Sequence, residues 1–168
     1  MKKIEIDTFL KFRFLSNPHF SPDGTKIAFT VSVPDRETNG YLSDLYLYDL
    51  GKKTVSRVTC AGDAKIWSWT AENTLIFTAA RTAALKKEKE NGTSFFYEIS
   101  PSGGEASCRA SVPASVTGIR LLPDGRYLLT IRHDNYKDTR KKSDEVFDEL
   151  PFWANGQGIV NKKRTRLA

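Results

Sequence analysis

The residues with the clearest chemical potential lie in the segment "KKSDEVFDELPFW", residues 141–153. Glu145 and Glu149 are four residues apart, as are Asp144 and Asp148, so each pair would share one face of a helix. Two carboxylates at this spacing can hold a cation, because opposite charges attract most strongly at short range. The alternative is a solvated acidic face whose apolar side packs against the rest of the chain. The solvated face is the simpler interpretation. If the carboxylates instead bind a cation, Glu145, Asp148 and Glu149 are the candidate binding residues.

A short helix in this segment is predicted from its two ends. Ser143 is a suitable N-cap, and the acidic residues directly after it favour the positive end of the helix dipole. Pro151 would end the helix at Leu150, since proline disfavours the helical conformation of the residue before it. Phe152 and Trp153 follow at once. They either line a binding cavity or anchor the segment to a sheet, and anchoring is favoured because a long insertion needs apolar contacts to stay ordered.

Metal and cofactor chemistry have no motif in the sequence. Cys60 and Cys108 form no Cys-x-x-Cys pair, so a zinc or redox motif is absent. His19 and His133 are the only histidines, and both fall in or beside predicted strands, where a structural role is favoured. We therefore expect neither a metal nor an organic cofactor.

Composition and charge limit the class of protein. The chain has 168 residues, 39% of them hydrophobic and 27% charged, which suits one globular domain. The net charge of +6 is spread through loops or held at 140–142 and 162–166, without the interleaved aromatic residues of a nucleic-acid stacking platform. No run approaches the ~18 apolar residues that a membrane helix needs, and the basic start of the chain lacks the apolar stretch of a signal peptide. We predict a cytoplasmic protein with neither nucleic acid nor membrane as a partner.

One turn motif occurs at regular intervals along the chain. "SPDG" at 21–24 and "LPDG" at 122–125 each precede an apolar strand-like run, and Glu72-Asn73 occupies the same place between them. Asp23, Glu72 and Asp124 are therefore 49 and 52 residues apart. Glycine and asparagine tolerate the left-handed backbone that such a turn requires. The spacing predicts three repeated units.

Each complete unit contains four predicted strands. The runs "KIAFTVS", "TLIFTAA" and "RYLLTIR" correspond, as do "DLYLYDL" at 44–50 and "SFFYEIS" at 94–100. Four short strands at a period of about 40–50 residues are typical of a β-propeller blade, and an ordinary β-sandwich is the rival architecture. We predict an all-β partial propeller with blades at about 17–60, 64–110 and 115–168. The third is incomplete and carries an insertion at 132–165 with a short helix.

The quoted segments resemble a known family. "NPHFSPDGTKIAFTVS…DLYLYDLGKKTVSRVT" is similar to the first blade of the N-terminal propeller of the prolyl oligopeptidase family of serine peptidases, in its acylaminoacyl-peptidase and dipeptidyl-peptidase branch. "DELPFWANGQGIVNKKRTRL" is similar to an insertion before the third strand of a blade in such propellers. The resemblance runs through essentially the whole chain, although the "FSPDG" turn alone also occurs in TolB-like propellers.

The resemblance implies a division of labour between two domains. Family members carry Ser, Asp and His on a C-terminal α/β-hydrolase domain, and this chain contains no Gly-x-Ser-x-Gly nucleophile elbow. We therefore expect a propeller fragment that gates and selects peptide substrates for a catalytic domain absent from this chain, and that performs no catalysis alone. In the dipeptidyl peptidases an acidic propeller segment binds the substrate's free amino terminus, a role that Glu145, Asp148 or Glu149 would take here.

Two further interpretations remain open at this stage. A stand-alone TolB-like interaction module would carry the same blades without a peptidase. The edge strands of an open blade also offer unpaired backbone groups to a second copy of the chain, so the chain could form a homo-oligomer through these edges.

Overall fold

The computed structural model describes residues 5–134, 152–154, 158–160 and 163–168. A 3-10 helix, Ile6–Lys11, precedes the first of three antiparallel sheets. The first sheet contains four strands in sequence order: β1 (Phe14–Phe20), β2 (Lys26–Asp35), β3 (Gly40–Asp49) and β4 (Thr54–Arg57). The second sheet repeats this order with β5 (Trp67–Trp69), β6 (Leu75–Thr78), β7 (Ser94–Ile99) and β8 (Ser107–Val112).

The third sheet is shorter in the described part of the chain. Its order is β13-β10-β9, formed by β9 (Ser115–Leu121), β10 (Tyr127–Asp134) and β13 (Lys163–Leu167). Between β10 and β13 lies a separate hairpin of β11 (Phe152–Ala154) and β12 (Gly158–Val160). The predicted all-β architecture of three repeated units, the third with fewer strands, is confirmed.

The repeated turns have the predicted backbone conformation. Gly24 and Gly125 have φ of +69° and +83°, and Asn73 takes the same left-handed region at +59°. In each turn the residue with positive φ donates its N–H to a carbonyl three residues earlier, at 2.9–3.3 Å. Asparagine is one of the few residues other than glycine that enters this region readily. Glu72-Asn73 therefore replaces Asp-Gly without changing the turn.

Strand direction gives each sheet two distinct ends. The β1–β2 and β3–β4 turns and their equivalents lie at one end, which we call the turn end. The other end, which we call the insertion end, carries the links between consecutive sheets at 58–66 and 113–114. It also carries the connection 79–93 between β6 and β7, and β10 ends and β13 begins there. The longest connections of all three units thus share one end.

Two tryptophans join the first sheet to the second. Trp67 and Trp69 are 3% and 4% exposed, which confirms that they pack between blades. Trp67 Nε1 donates to Thr30 Oγ1 at 2.9 Å, and Trp69 Nε1 donates to the His19 carbonyl at 3.2 Å. Each indole therefore buries its apolar body and still satisfies its N–H. The surrounding apolar cluster includes Ala28, Leu45, Leu47, Leu75 and Phe77.

The outward face of the first sheet is also apolar. Residues on β2 alternate in direction, so Ala28 packs towards the second sheet while Phe29 lies on the opposite face with Tyr46, at a ring distance of 6.0 Å. On that opposite face Leu15 and Val55 are 68% and 58% exposed. Sheets that are covered on both faces carry apolar residues on both. The first sheet shows this pattern, as a blade with neighbours on both sides would.

A buried carboxylate fixes the link between the first and second sheets. Asp44 is 6% exposed. It accepts hydrogen bonds from Arg57 Nη2 at 2.6 Å and from Thr59 Oγ1 at 3.0 Å. It also accepts one from Gly62 N at 3.0 Å. Three donors from the end of β4 and the following link therefore converge on one side chain of β3.

The next blade uses the equivalent position for the same task. Ser94 aligns with Asp44 in the repeat, and it too is buried. Its hydroxyl donates to the Ala114 carbonyl at 2.8 Å and accepts from Val116 N at 2.9 Å. A polar residue at the start of the third strand thus ties each blade to the link that leaves it.

The structure adds a helix that the sequence analysis did not predict. α1 (Ala83–Glu90) lies between β6 and β7, and Thr82 caps it by accepting from Leu85 N at 3.2 Å. The helix predicted at 143–150 lies outside the described residues. β13 begins at Lys163, and β10 extends to Asp134, so the connection predicted as 132–165 corresponds to 135–162 between these strands.

The Asp44 network generates a stability prediction. Asp44→Ala should lower the free energy of unfolding by about 2–3 kcal/mol, because it leaves three donors without their shared acceptor. Urea unfolding followed by circular dichroism measures the change. Asp7→Ala is the matched control, since its ion pair with Arg36 is exposed and 3.7 Å long, and it should cost less than about 1 kcal/mol. Equal losses in the two variants would show that the network contributes nothing special.

Candidate functional site

The first strands of the three sheets line one cleft. β1, β5 and β9 converge on a space of about 420 Å³, which we call the inner cleft. Its lining includes Asn17, His19, Trp67, Trp69, Ile119 and Arg120. It is the place where described side chains from all three units meet, so it is the candidate site that the repeat itself builds.

A bulge in β1 shapes the first wall of the inner cleft. Ser16 pairs with Thr30 and His19 with Ala28, so β1 contains one residue more than β2 over this stretch. Within the bulge Asn17 has φ of +55°. Bulges re-aim side chains and are frequent near functional sites. Here the bulge brings the two polar side chains of Asn17 and His19 together.

The imidazole of His19 is held on two sides. Its Nε2 hydrogen bonds with Asn17 Oδ1 at 2.9 Å. Its ring meets the Trp67 ring edge-on, with centroids 5.6 Å apart and planes at 80°. The side chain is exposed, so this arrangement presents an oriented imidazole at the cleft.

The opposite wall supplies a cation. Arg120 lies on β9, is exposed, and has no carboxylate within 4.0 Å among the described residues. A guanidinium, an imidazole, an amide and two indoles therefore face the same space. This combination suits a peptide, because aromatic walls accept side chains while the guanidinium pairs with carboxylate or carbonyl oxygens.

The acidic candidates from the sequence are not part of this geometry. Glu145, Asp148 and Glu149 lie outside the described residues. Phe152 and Trp153 belong to β11, where they pair with Val160 and Ile159 of β12. Their side chains are not described, so the choice between lining a cavity and anchoring the insertion stays a prediction.

Sequence analysis missed two of the cleft residues. Asn17 and Arg120 were not singled out, and His19 was assigned a structural role, which its contact with Trp67 agrees with. A proline after Asn17 inside a predicted strand was the available sign, since proline within a strand is typical of an edge or a bulge. Nothing in the sequence of β9 marks Arg120 as facing β1 and β5.

A tightly bonded carboxylate lies at the turn beside the inner cleft. Asp23 Oδ1 accepts from Ser21 Oγ at 2.6 Å, from Thr25 Oγ1 at 2.9 Å and from Thr25 N at 3.0 Å. These hydrogen bonds, led by that from Ser21, lower the pKa of Asp23 from 3.8 to about 2. Asp23 N also donates to Asn73 Oδ1 of the next blade at 3.2 Å. The first two repeated turns are therefore linked directly.

The described residues offer no other familiar chemistry. They contain no group of three His, Cys, Asp or Glu side chains arranged to hold a metal ion. In the same part of the chain no helix is long and apolar enough to cross a membrane. Cys60 and Cys108 are both free and exposed.

Comparison with known proteins finds the same fold in two peptidase structures. The acylaminoacyl peptidase of Pyrococcus horikoshii superposes with a TM-score of 0.66 and 18% identity, over 96% of this chain and 24% of that one. The β-propeller domain of the Trilobed protease from Pyrococcus furiosus superposes with a TM-score of 0.51 and 17% identity, over 74% of this chain and 35% of that one. This chain has the fold of part of a peptidase β-propeller. The predicted resemblance to acylaminoacyl peptidases is confirmed.

Sequence comparison agrees with the structural one. The uncharacterized peptidase YuxL of Bacillus subtilis strain 168 is 26% identical over 180 residues, covering 99% of this chain and 26% of that protein. No family model matches the chain. The chain thus spans about a quarter of the length of YuxL and of the Pyrococcus horikoshii enzyme.

The Asp23 carboxylate gives a prediction about pH. Because its pKa is lower in the folded state, it stabilises the fold above its ordinary pKa of 3.8, and this contribution is lost as the pH falls towards about 2. Asp23→Asn should therefore lower the Tm at pH 7, and the difference from wild type should be much smaller at pH 2. Thermal unfolding at both pH values measures this, with Glu72→Gln as an exposed control. An undiminished difference at the lower pH would mean that the charge is not responsible.

Proposed function

We propose that this chain is the N-terminal part of the substrate-selecting propeller of a serine exopeptidase of the acylaminoacyl- or dipeptidyl-peptidase type. The observation that carries the proposal is the agreement of the fold with acylaminoacyl peptidase over 96% of the chain. The peptidase YuxL supports the proposal independently, because its sequence is 26% identical over a match that covers 99% of this chain. In this proposal the catalytic α/β-hydrolase domain is a separate part of the longer protein.

The propeller contributes selection, and the other domain contributes chemistry. The 168 residues hold no Gly-x-Ser-x-Gly elbow, so the nucleophile belongs to the hydrolase domain. A peptide reaching that domain passes the inner cleft, where Asn17, His19 and Arg120 meet its polar groups. The volume of the cleft, about 420 Å³, suits a few residues of an extended peptide rather than a folded chain.

The long connection at 135–162 is proposed to contact the substrate near the catalytic domain. It joins β10 to β13 at the insertion end, and it is far longer than the few residues that usually connect two strands in a compact domain. In this proposal the carboxylates of Glu145, Asp148 and Glu149 bind the free amino group of a substrate. Phe152 and Trp153 are proposed as apolar contacts for the same substrate, the alternative being that they anchor the connection to the sheet.

The remaining partners follow from the uncovered surfaces. The apolar outer face of the first sheet, with Leu15, Phe29 and Val55, is proposed to pack against a further blade. β4 and β13 end their sheets in the described part of the chain, so a further strand or a second copy can pair with them. A cytoplasmic location stays a prediction, and the two free thiols agree with a reducing compartment.

The division of labour predicts that this 168-residue chain does not hydrolyse aminoacyl or dipeptidyl nitroanilides. The full-length protein should hydrolyse at least one of these substrates. The release of nitroaniline measures both activities at equal molar concentration. Hydrolysis by the short chain that a serine-directed inhibitor abolishes would place the nucleophile in this chain and overturn the proposal.

The amine-binding role makes a kinetic prediction for the full-length protein. Glu149→Gln should raise KM for substrates with a free amino terminus by roughly tenfold or more, because hydrogen bonds between charged groups contribute ~1.5–3 kcal/mol. N-blocked substrates should be nearly unaffected. Glu105→Gln, an exposed carboxylate in the β7–β8 turn, is the matched control. An equal change for both substrate classes, or none, would reduce Glu149 to a surface carboxylate.

A further inference from the structure

A second cleft lies at the insertion end, between the first and second blades. It is bounded by the link 58–66 on one side and by α1 on the other, and its volume is about 730 Å³. Its charged lining consists of Asp63, Arg81, Lys86, Lys89 and Glu90. We call it the cross-blade cleft. It shares no lining residue with the inner cleft.

Both walls of the cross-blade cleft are fixed by the fold. The link is held by the Asp44 network and by a parallel bridge between Ser43 and Asp63. In that bridge Ser43 N donates to the Gly62 carbonyl and Ala64 N donates to the Ser43 carbonyl, both at 2.9 Å. On the other wall α1 is capped by Thr82, and Leu85 packs against the core. The cleft therefore exists before any ligand arrives.

Arg81 presents a positioned guanidinium to this cleft. Its Cζ lies 5.6 Å from the centroid of the Phe77 ring and 5.2 Å from that of Tyr97. Cation–π contacts with two rings restrain the side chain without using its N–H donors. No carboxylate of the described residues lies within 4.0 Å of it. Its donors are available for a planar anion such as a carboxylate.

Asp63 supplies a negative charge on the wall of the cleft opposite Arg81. Its Oδ1 is buried and has no hydrogen-bond donor among the described residues. A buried acceptor without a donor is unfavourable, and a charged one more so. Asp63 also lines the cleft and has no cationic partner within 4.0 Å among the described residues, so an incoming ammonium group would pair with the charge of its carboxylate. The same cleft therefore contains an unpaired anion and an unpaired cation, which lie more than 4.0 Å apart.

We propose that the cross-blade cleft binds a short peptide with both termini free, its ammonium group at Asp63 and its carboxylate at Arg81. The ammonium and carboxylate groups of such a peptide lie at opposite ends of its backbone, as Asp63 and Arg81 lie on opposite walls of the cleft. Lys86 and Lys89 add positive potential from α1, which Glu90 offsets in part. The small side chains of Ala61 and Ala80 leave room for the peptide backbone. The volume lies within the range of about 300–1,000 Å³ that is usual for small-ligand sites.

Calorimetric titration of this chain with trialanine tests the site. Wild-type protein should bind trialanine at least tenfold more tightly than either N-acetyl-trialanine or trialanine amide. Asp63→Asn should abolish the discrimination against the acetylated peptide and keep that against the amide. Arg81→Gln should do the reverse. This crossed pattern identifies which wall holds which terminus.

Two variants with the same charge changes serve as controls. Glu72→Gln and Lys52→Gln alter exposed residues at the turn end and should bind trialanine like wild type. If circular dichroism shows that a site variant is unfolded, the affinities of wild-type protein for the three peptides still test the proposal. No binding at millimolar peptide, equal binding of all three peptides, or equal weakening by the controls would overturn the proposal. The readout needs no catalysis, so its failure is distinguishable from failure of the proposed exopeptidase function.

Discussion

The arrangement of the blades depends on buried polar side chains that hold the links between sheets. A sheet alone does not determine where the next one lies, because its apolar face can pack at many angles. Asp44 removes this freedom by binding three donors from Arg57, Thr59 and Gly62 at once. Ser94 repeats the device with a single hydroxyl. Hydrogen bonds are directional, so they convert non-specific apolar contact into one relative placement of blades.

The two clefts are consequences of that placement. The inner cleft forms where the first strands converge, and its walls are completed by the indoles of Trp67 and Trp69, which also join the sheets. The cross-blade cleft forms where the link held by Asp44 passes α1. The same interface therefore provides stability, through buried apolar area, and two separate concave surfaces. Among the described residues, Arg120 at the inner cleft and Arg81 and Asp63 at the cross-blade cleft have no ion-pair partner within 4.0 Å.

Features that depend on a few neighbouring residues could be predicted from the sequence, whereas contacts between distant segments could not. The three turns could be predicted because Gly24, Asn73 and Gly125 each satisfy a backbone requirement within four residues. The packing of Trp67 and Trp69 between blades followed from their alternation in a strand. Helix α1 was missed because it is short and forms no apolar stripe, although its Ala, Leu, Lys and Glu residues are good helix formers and Thr82 caps it. The opposition of Asp63 and Arg81 depends on two distant connections meeting at one end of the molecule, which no short pattern encodes.

Every strand of the first sheet pairs with its immediate neighbour in the sequence. Such pairings close only short loops, and the entropy lost in loop closure is correspondingly small. The first sheet therefore needs no residue beyond Arg57 to pair its own strands. The hydrogen bonds from Trp69 to His19 and from Asp23 to Asn73 each span fifty residues. The first blade is therefore complete only when the second has formed, because these bonds tie it to residues of the next unit.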